Sequence, residues 1–379
     1  MSLSRVFLSY AAALIVLAGA AFPAAAIETS AREAILVDVA TGAVLLNKNA
    51  DERMPPASMS KIMTVYMVFS RLRDGRLSMD DELLVSEKAW LKGGSKMFVE
   101  VDKEVRVEDL LRGVIIQSGN DACIVLAEGL SGSEEAFARE MNEAAQELGL
   151  TGSNFANSTG WPDPQHWMTA RDLAILAQHL IEEFPEHYHL YSEMEFTWHG
   201  IRQTNRNPLL YRNVGADGLK TGHTEEAGYG LTASAVQGDR RLILVVTGLD
   251  SVRARAEESE RLLAWGFREF ENYKLLTAGE TISEAAVWLG AEETVPLTAE
   301  QDIVVTLPRS SRGDMKVTLA YDAPVAAPIK AGETIAKLVV TAPEAEPVIV
   351  PLIAAEDVEK LGALGQVAAA AKYLIFGQP

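Results

Sequence analysis

The sequence predicts a mixed α/β (α+β) fold, with one mostly antiparallel sheet flanked by helices and a small all-β domain after it. Three observations carry this. The elements run hairpin, many helices, hairpin, helix, an order that brings both ends of the segment into one sheet. The pattern changes near Tyr273, beyond which short β runs alternate with Gly, Pro and acidic turns. The 379 residues are 48% hydrophobic and 23% charged, enough for two ordinary cores at roughly 100–200 residues per domain. Cores of that size need no disulfide or metal staple, and the single cysteine, Cys123, permits no intrachain bridge. With 34 basic against 53 acidic residues the net charge is −19, which excludes a phosphate-gripping surface and makes nucleic acid an unexpected partner.

Residues 1–26 carry one charge, Arg5, then an apolar run and Ala24-Ala25-Ala26. This reads as a secretory signal peptide cut after Ala26, with an uncleaved anchor as the alternative. Export without paired cysteines points to a bacterial envelope protein. Residues 34–39 and 44–47 are β-rich and flank a Thr41-Gly42 turn. Pro55-Pro56 breaks the chain before a helix over 58–72. That helix is apolar around most of its circumference (Ile62, Met63, Val65, Tyr66, Val68, Phe69), so it should be buried. Further helices are predicted over about 119–129, 134–149 and 169–183, the last opening with the capping-box pattern Thr169-Ala-Arg-Asp172. Residues 227–236 and 241–249 form a second hairpin around Gly238-Asp239, and 255–270 an amphipathic helix.

Downstream, β runs at 286–289, 302–308, 316–321, 334–340 and 347–352 make a small β-sandwich over 274–353. From residue 354 to 379 the apolar spacing of Val358, Leu361, Leu364, Val367 and Ala371 is helical. Such a terminal helix either packs on its own domain or lies on a membrane. No segment after the signal reaches the ~18 apolar residues that spanning requires.

Three short motifs carry chemistry: Ser58-Met59-Ser60-Lys61, Ser118-Gly119-Asn120 and Lys220-Thr221-Gly222. On a helix, positions i and i+3 share a face, so Ser58 and Lys61 meet. A serine hydroxyl needs an adjacent base, and lysine serves only when burial or a second cation, here Lys220, lowers its pKa. The competing reading is that Ser58 only caps the helix. Ser118 can pass a proton between Lys61 and a leaving amine, and the Asn120 amide can hold a substrate peptide group. Gly222 lets another backbone come close, so a peptide can add to that strand. Lys220 and Thr221 then face its carboxylate. The backbone N–H groups of Ser58 and His223 can form an oxyanion hole. Among six histidines the one close pair is His187 and His189, so no metal and no other cofactor is expected.

Together and in this order the motifs resemble those of penicillin-binding proteins and class A β-lactamases. The match extends through Ser118-Gly-Asn-Asp-Ala-Cys123, Gly200-Ile-Arg-Gln203, Asn205-Arg-Asn207, Asp217-Gly-Leu-Lys-Thr-Gly-His-Thr224 and Leu262-Leu-Ala-Trp-Gly-Phe267. It is closest to the D-alanyl-D-alanine carboxypeptidases of peptidase family S11, among the low-molecular-mass penicillin-binding proteins. The resemblance implies a DD-peptidase/serine β-lactamase-like fold, with a transpeptidase-like catalytic domain over 27–273. It implies Ser58 as acyl-enzyme nucleophile, Lys61 as base and Ser118 as proton relay. Asn120, Lys220, Thr221, Gly222 and His223 would contact substrate, and Arg206 and Arg255 would hold its terminal carboxylate. The implied substrate is the peptidoglycan pentapeptide stem, with β-lactam antibiotics as inhibitors. The implied place is the periplasmic face of the inner membrane, held by the terminal helix. The loop Thr159-Gly160-Trp161-Pro162 faces the site in this family and varies between members. Two rivals remain: a β-lactamase, for which no Glu-x-x-Leu-Asn pattern occurs between the second and third motifs, and a non-catalytic cell-wall peptide binding module.

Overall fold

The computed structural model describes residues 27–376; the expected signal segment, 1–26, lies outside the described residues. Strands β1 (Glu33–Asp38) and β2 (Val44–Lys48) form the first hairpin. A 3-10 turn, Ala57–Ser60, leads into α1 (Lys61–Arg73), so the buried helix opens more tightly than its apolar pattern predicts. Ala57 turns the chain with a φ of +49° directly before Ser58.

A short ribbon, β3 (Glu82–Leu84) and β4 (Glu104–Arg106), brackets α2 (Glu87–Leu91). Then come α3 (Val107–Ile115), α4 (Asn120–Ser131), α5 (Glu134–Glu147), α6 (Ala170–Glu183) and α7 (Pro185–Tyr188). The capping box at Thr169 forms by half. The Thr169 hydroxyl accepts from the Asp172 N–H, while the Asp172 carboxylate turns to Gly152 N–H and the Ser153 hydroxyl. A second ribbon, β5 (Glu195–Trp198) and β6 (Ile201–Thr204), precedes β7 (Ala216–Thr224), β8 (Gly228–Gln237), β9 (Arg240–Leu249) and α8 (Val252–Glu269).

The main sheet has the order β2-β1-β9-β8-β7 and is antiparallel throughout. Side chains alternate across it, as a period of two requires. Ile243 and Val245 of β9 join the core under the inserted helices, while Leu242, Leu244 and Val246 join the core under α8 with Leu262, Leu263 and Phe267. β7, which carries the third motif, is an edge strand and packs beside the 3-10 turn that carries Ser58.

The second unit begins with β10 (Phe270–Leu276), which straddles the expected boundary at Tyr273 and pairs with β13 (Ile303–Pro308). Strands β11 (Ser283–Trp288), β12 (Thr294–Thr298), β14 (Lys316–Ala320), β15 (Val325–Ala326), β16 (Thr334–Thr341) and β17 (Val348–Ala354) form a sheet ordered β14-β16-β17-β12-β11-β15. At the junction the fully buried Asp38 pairs with Arg240 and accepts from Asn272 of β10, and Arg240 donates to the Phe270 carbonyl.

The terminal helix is shorter than its periodicity predicts: α9 spans Ala363–Phe376. Upstream, Val358 exchanges backbone hydrogen bonds with Ile329 and is buried in the β-unit core, and Leu361 N–H donates to Leu289 O. Helical spacing is a local signal, and these pairings to distant segments override it. On α9, Leu364 and Val367 are exposed rather than packed on the β unit.

Candidate active site

Lys61 is completely buried, and its ammonium meets three oxygens: Ser58 Oγ at 2.8 Å, Asn120 Oδ1 at 2.8 Å and the Thr159 carbonyl at 2.6 Å. Two of the three are carbonyl oxygens, which only accept. They hold two of the amine's protons in either charge state. The third direction points at Ser58, so a neutral Lys61 aims its lone pair at the Ser58 hydroxyl. Asn120 is fixed in this orientation because its Nδ2 donates to Gly93 O at 2.9 Å. Burial pushes the Lys61 pKa down to about 8, and the nearby Arg206 and Lys92 push the same way. Lys220 was the expected second cation. Its own pKa is driven well below the usual lysine range by burial, and repulsion from Lys61, Arg206 and Arg255 adds to this. Ser58 is not a cap residue, since it lies inside the 3-10 turn that Pro56 precedes and the cap position of α1 is Ser60, which removes capping as the account of Ser58.

A cleft of about 420 Å³ opens over Ser58, lined by Ser95, Ser118, Arg206, Thr221 and Arg255 among others. Gly222 and His223 lie along the same wall. Gly222 is where β7 approaches the nucleophile turn. A Cβ there would lie 2.9 Å from Pro56 O and 3.1 Å from Met59 Cγ. Ser118 is buried with φ +62°, a conformation that costs a non-glycine residue roughly 1–2 kcal/mol, and its Oγ has no protein partner. Asn120, expected to hold substrate, has both ends of its amide engaged by Lys61 and Gly93. Lys220 is buried and does not line the cleft, and among the described residues its Nζ donates only to Thr221 O, at 3.4 Å. Burial lowers Arg255 to about 10 and also lowers Arg206, and neither guanidinium forms an ion pair among the described residues. Cys123 lies buried behind the lysines with its thiol pushed up to about 12 by desolvation, so it is no nucleophile.

Sequence reasoning missed the clamp around Lys61. Thr159 acts through its backbone carbonyl, which has no sequence signature. Its loop is tied to α1 by Thr64 Oγ1 donating to Ser158 O at 2.6 Å, and to α5 by the Glu134 carboxylate, which accepts from Ser158 N and Oγ. His166 Nδ1 accepts from Ala156 N–H, so Nε2 carries the proton and donates to Ser60 Oγ at 2.8 Å. Burial lowers the His166 pKa to about 4, which keeps it neutral. Gly160, at φ +73°, packs directly on the nucleophile turn, where a Cβ would fall 1.9 Å from Ala57 O. Tyr229, paired with His223 across β7 and β8, stacks on its ring at 3.9 Å and lies under Arg255. Strand register would have found it. Among the described residues no group of three or more His, Cys, Asp or Glu is placed to hold a metal ion.

A sequence model of the D-alanyl-D-alanine carboxypeptidases, peptidase S11, matches residues 20–251. A second, described as penicillin-binding protein 5, C-terminal domain, matches 270–360. The chain is 43% identical over 345 residues to D-alanyl-D-alanine carboxypeptidase DacC of Escherichia coli strain K12, covering 89% of this chain and 86% of that one. Penicillin-binding protein 5 from Haemophilus influenzae superposes with a TM-score of 0.80 at 39% identity, over 88% of this chain and 98% of that one. Penicillin-binding protein D2 from Listeria monocytogenes, in its ampicillin-bound form, superposes with a TM-score of 0.59 at 32% identity, over 64% and 99%.

Proposed function

This chain belongs to the D-alanyl-D-alanine carboxypeptidases of peptidase family S11, and from that premise we propose that it removes the terminal D-alanine from peptidoglycan pentapeptide stems through a Ser58 acyl-enzyme. One observation carries the mechanism: Lys61 is buried, depressed in pKa and 2.8 Å from Ser58 Oγ. The neutral amine takes the Ser58 proton as Oγ attacks the carbonyl of the penultimate D-alanine. The N–H groups of Ser58 and His223 receive the oxyanion. As the C–N bond breaks, the proton passes from Lys61 through the Ser118 hydroxyl to the departing D-alanine amine. Water then attacks the ester as Lys61 takes its proton, and Lys61 returns that proton to Ser58 Oγ as the acyl–oxygen bond breaks. Arg206, Arg255 and Thr221 hold the terminal carboxylate, whose charge restores proton affinity to the buried Lys220 nearby.

Penicillin should acylate the same serine. Intact-mass measurement after penicillin treatment is expected to give one adduct that maps to Ser58 and vanishes in Ser58→Ala. An adduct that persists in that variant sinks the mechanism. D-alanine release from diacetyl-Lys-D-Ala-D-Ala separates a peptidase from a binding module. A β-lactamase reading requires rapid deacylation. Here the loop beside Lys61 offers the Thr159 carbonyl, and the buried Glu134 is engaged by Ser158 and Lys88. The penicilloyl-enzyme should therefore be long-lived.

For location, residues 1–26 serve as a cleaved export signal, and α9 associates with the periplasmic face of the inner membrane through its exposed apolar residues Leu364 and Val367. Among the described residues no helix is long and apolar enough to cross a membrane. Deleting residues 363–379 and fractionating cells tests this; unchanged membrane association counts against it.

A further inference from the structure

Segment 92–95 runs from the cleft wall at Ser95, beside Arg206, out to Lys92 and Trp161. At one end Ser95 Oγ accepts from Arg206 at 2.6 Å. At the other, Lys92 Nζ sits 4.4 Å from the centroid of the Trp161 ring. Asn120 lies between, bound to both Lys61 and Gly93.

Trp161 is unusually fixed for an exposed residue. Its backbone N–H donates to Asn157 Oδ1 at 3.0 Å and Thr159 Oγ1 at 3.1 Å, and its backbone carbonyl accepts from Asn157 Nδ2 at 3.0 Å. Its ring covers Gly94, where a Cβ would lie 3.0 Å from the ring and 2.8 Å from Asn120 Nδ2. Yet Trp161 remains 43% exposed, and Trp90 and Leu91, just before Lys92, are 42% and 62% exposed. A large aromatic already packed in place, here over Gly94 beside Asn120, binds with little ordering cost. Lys92 forms no ion pair among the described residues, in a chain where acids outnumber bases 53 to 34. It is also near enough to Lys61 to act on that amine's charge.

The guanidinium end takes the terminal carboxylate, so the acyl arm of the substrate leaves Ser58 in the other direction, over Asn120 toward Lys92 and Trp161. We propose that Lys92 and Trp161 form an acyl-side subsite that selects a stem residue, next to D-Ala-D-Ala, whose aliphatic side chain ends in a carboxylate. The ring covers the methylenes and the ammonium pairs with the acid. This rests on the carboxypeptidase reading above.

Three acetylated X-D-Ala-D-Ala peptides test it, with X as 2-aminoadipate (acidic), Nε-acetyl-lysine (neutral) and lysine (cationic). In the wild type, kcat/KM should fall in that order, with at least tenfold between acid and cation. Lys92→Gln should level the series and Lys92→Glu reverse it, each variant normalised to its own rate with the neutral peptide. Trp161→Ala should raise KM for both long neutral and acidic peptides. Acid and cation within twofold in the wild type, or an unchanged ranking in Lys92→Glu, overturns the subsite. If no peptide releases D-alanine, the carboxypeptidase reading has failed instead. The ranking is then read from protection of Ser58 against fluorescent penicillin, where the same order supports the subsite and equal protection refutes it.

Discussion

At the scale of single residues, the site works by restricting one amine. Lys61 has two protons committed to Asn120 Oδ1 and Thr159 O, and only the axis to Ser58 is free to change. Its charged form is disfavoured by burial, and the pKa falls to about 8 from the ordinary 10.5. The sign of the pH effect follows. In the proposed mechanism the active form is the neutral amine, so penicillin acylation should rise about tenfold per pH unit below 8 and level off above it. A rate that is flat from pH 6 to 8 would contradict this. Ser118 gives the second test at this scale. Its Oγ has no protein partner to lose, so Ser118→Ala should melt within about 2 °C of wild type, a shift worth about 1 kcal/mol. Acylation and D-alanine release should nevertheless drop by about 10²-fold or more, the usual worth of a positioned proton-transfer group. Loss of stability without loss of rate would make Ser118 a structural residue.

At the scale of elements, the motifs were legible because each is short and two of them sit at element boundaries. Ser58 and Lys61 are one turn apart, Asn120 begins α4, and Lys220-Thr221-Gly222 lies on the edge strand β7. What was not legible acts through backbone or distant contact. The Thr159 carbonyl could belong to any residue type, and Val358, in phase with a helical stripe, pairs with Ile329 instead. The loop that carries Thr159 is seated by Gly160, and glycine chemistry makes that seating testable. Gly160→Ala meets both a left-handed φ and a collision with Ala57 O. Gly279→Ala meets a φ of +75° alone, with nothing within 4 Å of its Cβ. The second should cost about 1–2 kcal/mol in urea denaturation and leave acylation intact. The first should cost more, about 3 kcal/mol, and slow acylation as the Thr159 carbonyl leaves Lys61. Equal effects would mean that the loop is not pressed against the nucleophile turn.

At the scale of the whole molecule, two units must be joined without a disulfide. Asp38 ends β1 in the main sheet, Arg240 begins β9 beside it, and Asn272 lies on β10. Asp38 is 0% exposed and accepts from both Arg240 and Asn272, while Arg240 also donates to the Gly266 and Phe270 carbonyls. Thr306 of β13 donates to Asn272 Oδ1, which carries the network into the second unit. A buried pair of this kind adds little net stability over apolar packing, but removing one partner strands the other charge. Asp38→Asn should therefore lower unfolding stability by about 3–5 kcal/mol. It should also open the segment around β10 to limited proteolysis. The double variant Asp38→Asn with Arg240→Met removes the stranded charge and should recover most of the loss, because the penalty lies in the unpaired guanidinium rather than in the missing bond. If the double variant is as unstable as the single one, Asp38 holds the junction by its hydrogen bonds to β10, and the charge on Arg240 is incidental.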